Sequence, residues 1–164
     1  MLTDYFISKS KTSKNHQIDS INAPYLLNTG LLDFKAILLK FQETIKEKYS
    51  SSDVLKSDEF LENELRLLFL MFLKPIINGF GFTFKEVQTG AEKRIDIIVV
   101  FKNEKFVVEL KLWKGEKAHE EGLAQLKAYM QAESVEQGYM LIMNKNKSKE
   151  FKEWEEEGIF CVMI

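Results

Sequence analysis

Three charged side chains sit where strands normally exclude them. Residues 94–113 read RIDIIVVF, KNEK and FVVELKLW. Two runs rich in Ile, Val and Phe joined by a short polar turn are the pattern of a β-hairpin. Asp96 interrupts the first run, and Glu109 and Lys111 interrupt the second. A buried strand carries such residues only when they are paired or bind a metal. With Asn103 and Glu104 as a two-residue loop, Lys102 pairs with Lys105, Ile98 with Glu109 and Asp96 with Lys111. Opposed residues share a face, and alternation puts Glu109 on that face too, diagonal to Asp96 at about 7–8 Å. A three-residue loop puts Asp96 on the other face instead. In the first register two carboxylates and an ammonium converge. These are hard oxygen ligands beside a cation, a set that suits Mg²⁺ or Mn²⁺ and leaves room for water and a phosphate oxygen. Such a site can hydrolyse a phosphodiester, with a metal-bound water positioned or activated by Lys111. The backbone carbonyl of Leu110 is a further ligand in this scheme.

The elements that must hold these residues can be read from periodicity. Residues 1–30 mix Ser, Lys, Asn and Thr and end in NAPYLLNTG, an irregular arm before a single domain over 31–164. From Leu31 to Tyr49, Leu31, Phe34, Ile37, Leu38, Phe41 and Ile45 recur at three and four, an amphipathic helix. KYSSSDVLKS reads as a loop. A second helix starts at caps Ser57 and Asp58 and runs to Lys74, where Pro75 ends or kinks it. On it, Glu64 has Phe60, Leu61, Leu67 and Leu68 at three and four residues and Met71 at seven, which puts a carboxylate on the buried stripe. Glu62 neighbours Asp58, Glu59 and Arg66, so Glu64 is the one of the two that asks for an explanation. A strand over 82–88 precedes the hairpin, making a three-strand meander. A helix over 116–132 follows, with Leu123, Leu126 and Met130 as its apolar stripe. Beside them runs a line of Ala118, Gly122, Gln125, Tyr129 and Ala132, whose small members let the helix approach a sheet closely. YMLIM at 139–143 is a buried strand, residues 148–157 a charged surface helix, and IFCVMI a closing strand. The fold class is α/β, a mixed sheet flanked by helices.

Asp96, the ELK of Glu109–Lys111, a preceding helix with Glu64 and a following helix with Gln125 and Tyr129 spaced as QxxxY together resemble the PD-(D/E)XK nuclease superfamily. The predicted order helix, three strands, helix, strand is similar to its restriction-endonuclease-like core. QxxxY resembles the branch that holds lambda-type exonucleases and the nuclease domains of bacterial recombination helicases. The resemblance implies that Asp96 and Glu109 bind Mg²⁺, that Lys111 serves the water and that Glu64 assists. It further implies that Gln125 and Tyr129 orient the site or touch DNA. From YLLNTG through FLENELRLLFLMFLKPIINGFGF, RIDIIVVF, VELKLW, HEEGLAQLKAYM and EQGYMLIMNK, most of the chain also resembles the C-terminal nuclease region of bacterial AAA-type ATPases. That implies an ATPase partner in cis or in trans, because no GxxxxGK followed by Ser or Thr occurs here. Ile95 stands where the family name has Pro, a position without metal contact.

Composition narrows the rest. At 164 residues and 45% hydrophobic, the chain has enough apolar residues for a real core. A lone Cys161 excludes an internal disulfide, and with only the distant His16 and His119 beside it a metal cluster of the Cys/His type is not expected. No apolar run reaches the roughly 18 residues of a membrane span, and the first 20 residues are too polar for a signal peptide, so the expectation is a cytoplasmic protein with no membrane partner. The net charge of −2 argues against a dedicated nucleic-acid binder. Residues 43–64 hold seven acidic side chains against three basic ones, however, whereas Lys93, Arg94, Lys102, Lys105, Lys111, Lys114 and Lys117 offer a locally basic rim for DNA. Plainer readings stand beside the nuclease. The triad could be a structural cross-strand ion pair, Gln125 and Tyr129 a capped amide and a packed ring, Trp113 packing, and His119, beside Glu120 and Glu121, a surface residue. The whole could be a silent relative that binds nucleic acid or regulates an ATPase. It could equally be an interaction module that homodimerises through the acidic segment and the buried helix.

Overall fold

The computed structural model describes residues 23–49, 57, 62–77, 94–146 and 150–164, and of residues 81–88 and Arg94 the backbone path. The loop at 50–56, the expected cap Asp58, the turn that follows residue 88 and Lys93 lie outside the described residues; the other expected cap, Ser57, sits in a bend.

Helix α1 (Phe34–Tyr49) starts where Asp33 Oδ1 accepts the amide of Ala36 at 3.0 Å, a side-chain cap on its first turn. It buries Phe34, Ile37, Leu38, Phe41 and Ile45 as the spacing predicts, but Leu31, expected to begin both helix and stripe, lies ahead of the helix and is exposed. Ahead of it the chain is less irregular than expected: Ala23–Tyr25 form a 3₁₀ turn, and Leu26 bridges Leu32. Helix α2 (Glu62–Ile77) passes through Pro75 instead of stopping at Lys74. Its buried stripe is Leu65, Phe69, Leu73 and Ile76.

The strands are β1 (Gly81–Gln88), β2 (Arg94–Phe101), β3 (Glu104–Leu112), β4 (Gly138–Met143), β5 (Lys152–Glu156) and β6 (Ile159–Met163). They form one mixed sheet in the order β1-β2-β3-β4-β6-β5. The first three make the antiparallel meander, and β3, β4 and β6 run parallel. Helix α3 (Glu116–Glu133) supplies the crossover from β3 to parallel β4, as such a connection requires. The α/β expectation of a mixed sheet with flanking helices therefore holds. Helices α1 and α2 cover one face through Phe34, Phe41, Phe69, Val99, Val108 and Leu141. Helix α3 covers the other through Leu126, Tyr129, Met140, Ile142 and Cys161.

Two expectations fail. The segment expected as a charged helix over 148–157 contains strand β5, antiparallel to β6. KEWEE alternates as a strand does, with Trp154 and Glu156 half-buried and their neighbours exposed. Its two-residue loop, Glu157 and Gly158, has φ of 52° and 78°, the left-handed pair that closes a tight hairpin. The C-terminal unit is thus β-β where α-β was expected. The meander hairpin also turns one residue earlier, at Lys102 and Asn103, pairing Phe101 with Glu104 and Ile98 with Val107. Lys102 takes φ 53° there, and its ammonium is held by the carbonyl of Gly30 at 2.7 Å. No helix among the described residues is long and apolar enough to cross a membrane.

Candidate active site

Strands β2 and β3 part company at Asp96. Their last ladder pair is Ile97 with Val108, although β2 stays paired with β1 through Ile95 and Arg94. Side-chain alternation breaks at the same point. Ile97, Val99 and Phe101 pack toward α1 and α2, whereas Ile95, of the same parity, packs on the α3 side. Beyond the split, the amides of β3 need other acceptors, since a buried N–H left unpaired is costly. They find carboxylates. Leu110 N–H donates to Asp96 Oδ2 at 2.8 Å, and Leu112 N–H donates to Glu62 Oε1 at 3.2 Å. The irregularity that opens the sheet also pins two acids beside it.

The second oxygen of Asp96 accepts from the Arg66 guanidinium on α2, which also donates to Asn63 Oδ1 at 2.8 Å. Asp96 therefore pairs with Arg66 and not, as the sequence register has it, with Lys111. The loop shift moves the register by an even step, but the ladder ends at Ile97–Val108; Asp96 is tied to this end of β3 by its bond to the Leu110 amide, and its charge acts on Glu109.

Glu109 is 1% exposed on the α3 face of β3. Its Oε1 accepts from Lys111 Nζ at 2.9 Å, while its Oε2 is buried without a hydrogen-bond partner among the described residues. Burial, and next the negative charge of Asp96, push the Glu109 carboxyl up to about 7 against the pull of Lys111. Burial works against the charge of Lys111, but Glu109, with Glu62 and Asp96 behind it, holds the ammonium above its ordinary value. Helix α3 leaves space for this lysine. A Cβ on Gly122 would meet Lys111 Cε and Met140 Cε, both at 3.4 Å. The line of small residues expected to let this helix close on the sheet does so at Gly122.

Asp96, Glu109 and Lys111 thus share one charged pocket, joined by Glu62. Glu64, expected on the buried stripe, is instead exposed on the α2 face that carries Leu67 and Met71, themselves 54% and 66% exposed. The helix carboxylate at the pocket is Glu62, two residues earlier. Its signal in the sequence was Arg66 one turn on, which bridges the same helix to Asp96. Leu110 takes part through its amide. Gln125 is half-buried on α3. Tyr129, two turns beyond Gly122 and so about 10 Å along the helix, is a core residue, its phenol pushed up to about 12 by burial and by Glu133. Arg94 opens β2 opposite Gln88.

His119 is the other correction: it is buried, not on the surface. Its Nε2 lies 2.7 Å from Glu156 Oε1, and its ring lies 5.7 Å from that of Trp113 and 5.8 Å from that of Trp154. The spacing 119, 122, 123, 126 was the available signal, a helical stripe that outweighs two acidic neighbours. Lys145 is half-buried and donates to the carbonyl of Ser57 at 2.8 Å.

A divalent cation fits the carboxylate pocket on one direct ground: a buried oxygen, Glu109 Oε2, lacks a partner in a cluster of three acids. Oxygen ligands of this kind select a hard ion. Residues 32–147, most of the chain and all of this pocket, match the family model described as Domain of unknown function (DUF8371). No curated protein matches the chain.

Proposed function

We propose that this chain, which belongs to that family of unknown function, is a metal-dependent hydrolase of DNA phosphodiester bonds built on the PD-(D/E)XK plan. One observation supports this above the rest: Glu109 is a buried carboxylate with an orphan oxygen, raised to about 7, beside a lysine one residue removed on the same strand. A structural ion pair would have used both oxygens.

Glu109 and Asp96 would hold Mg²⁺ or Mn²⁺, with the charge of Glu62 close behind. The ion would supply a bound water of lowered pKa and offset charge at the phosphate. Lys111 stays protonated at neutral pH, so its part is that of a donor and a positive charge, not of a base. It orients the attacking water or steadies a phosphate oxygen as negative charge develops. Gly122 keeps the path of its side chain open.

Arg66 favours a second reading, a catalytically silent module that binds nucleic acid or serves an AAA-type ATPase. Its guanidinium already neutralises Asp96, the task a metal ion would have. The experiment is a Mn²⁺- and Mg²⁺-dependent cleavage assay on single- and double-stranded DNA with wild type, Asp96→Ala and Lys111→Ala. Cleavage lost in both variants, with circular dichroism unchanged, supports the nuclease. Binding without cleavage selects the silent module. Cleavage that survives EDTA and both substitutions belongs to a contaminant and removes the proposal.

A further inference from the structure

A second cluster lies apart from the carboxylate pocket, under the first turns of α3 at the β5–β6 edge. Three donors converge there on one oxygen. Glu156 Oε1 faces His119 Nε2 at 2.7 Å, Trp154 Nε1 at 2.7 Å and Cys161 Sγ at 3.7 Å. Cys161 is fully buried, His119 nearly so, and the Glu156 side chain is 33% exposed. Its two strands bring the acid and the thiol together because Glu156 and Cys161 occupy the same face of paired strands, facing α3.

We infer that His119, Glu156 and Cys161 form a transition-metal site that takes Zn²⁺ rather than Mg²⁺, with a fourth position open toward solvent past Glu156. The ligand atoms, one from each residue, lie within 4.8 Å of one another. Zinc bonds of about 2.0–2.3 Å require the set to draw in by about an ångström, the scale of a small side-chain rotation. Nitrogen, sulfur and oxygen together suit a borderline ion and not a hard one. The surroundings match what holds such ligands in place. Trp154 N–H orients the carboxylate from outside, and the rings of Trp113 and Trp154 flank the imidazole. Binding a divalent ion here displaces the thiol proton to solvent. Glu156 and Cys161 lie beyond the family-matched segment, so the family match does not imply this site. Bound zinc would fasten α3 to the edge hairpin.

The test is a Co²⁺ titration of the whole reduced chain in excess Mg²⁺. The expected result is a near-ultraviolet thiolate-to-cobalt charge-transfer band that saturates at one equivalent and is erased by Zn²⁺. Cys161→Ser abolishes the band. Glu156→Gln, which keeps an acceptor for Trp154, weakens Zn²⁺ binding at least about tenfold with circular dichroism unchanged. Wild type that gives no thiolate band overturns the inference without recourse to any variant, as does undiminished Zn²⁺ affinity in Glu156→Gln. The cluster is then a hydrogen-bonded knot. The carboxylate pocket is built of Asp96, Glu109, Glu62 and Lys111 with no thiol among them and cannot produce the band, so this result is independent of the nuclease assay.

Discussion

Glu109 and Glu156 face the same helix from the middle and the edge of one sheet, and their environments push them in opposite directions. Glu109 is sealed among apolar side chains with one donor, Lys111, and an acid for a neighbour, and its carboxyl rises to about 7. Burial also opposes the charge of Glu156, but hydrogen bonds from Trp154 and His119 outweigh it and hold that carboxyl below its ordinary value. Depth and donor count act together: the deeper acid with a single donor holds its proton toward neutral pH, and the shallower one with several donors keeps its charge.

The contrast breaks most sharply on activity. Glu109→Gln and Asp96→Ala should each lower Mn²⁺-dependent DNA cleavage by at least about a hundredfold, whereas Glu156→Gln should leave it within a few-fold of wild type. Stability comes next. The Glu109 carboxyl binds its proton more tightly folded than unfolded, so its penalty is absent below about pH 4.5, grows as pH rises and is complete above about 7. Chemical denaturation without metal should show Glu109→Gln more stable than wild type by about 1–3 kcal/mol at pH 8 and equal to it at pH 4. Mn²⁺ should accordingly raise the melting temperature more at pH 8 than at pH 5. For Glu156 the sign is reversed: its contribution is present above about pH 4.5 and is lost on acidification. Matching acid limbs in wild type and Glu156→Gln would refute the assignment.

Smaller effects sharpen the picture. Arg66→Met leaves the mostly buried Asp96 without its counter-charge and should cost about 2 kcal/mol, less than a fully buried pair. If that loss is recovered in saturating Mn²⁺, the guanidinium and the ion compete for one acid. Gly122→Ala should change stability by less than about 1 kcal/mol, because helix propensity gains what the tight approach to Lys111 loses. Its cleavage rate should nevertheless fall several-fold; an unchanged rate would mean that the position of Lys111 does not depend on this glycine.

The meander and its three charges were legible because strand alternation survives an even register change. Moving the turn from Asn103–Glu104 to Lys102–Asn103 altered every pairing yet left Asp96, Glu109 and Lys111 with their parity. What parity could not convey was the break at Asp96, which depends on acceptors for the amides of Leu110 and Leu112. Helix α2 misled for a different reason. From Leu65 onward it is apolar nearly all round, so its sequence carries no clear phase, and Glu64 and Glu62 compete on equal terms. Packing chose the Leu65, Phe69, Leu73 stripe and exposed Leu67 and Met71. At the other end, seven charges over Lys149–Glu157 looked helical because their number hid the alternation of Trp154 and Glu156. His119 was hidden by its acidic neighbours, and its partners Glu156 and Cys161 come from strands that follow almost forty residues later.

At the turn of the meander, far from the split, the segment before α1 is strapped to β3: the amide of Leu32 donates to Glu104 Oε2 at 3.1 Å, and Lys102 reaches back to Gly30. The closed end of the hairpin is therefore clasped through backbone groups, whereas its open end is spanned by side chains, Asp96 to the Leu110 amide and Arg66 to Asp96. A shift of β2 against β3 would stretch those side-chain links first, so the width of the gap between the strands is set by the same acids that line the site.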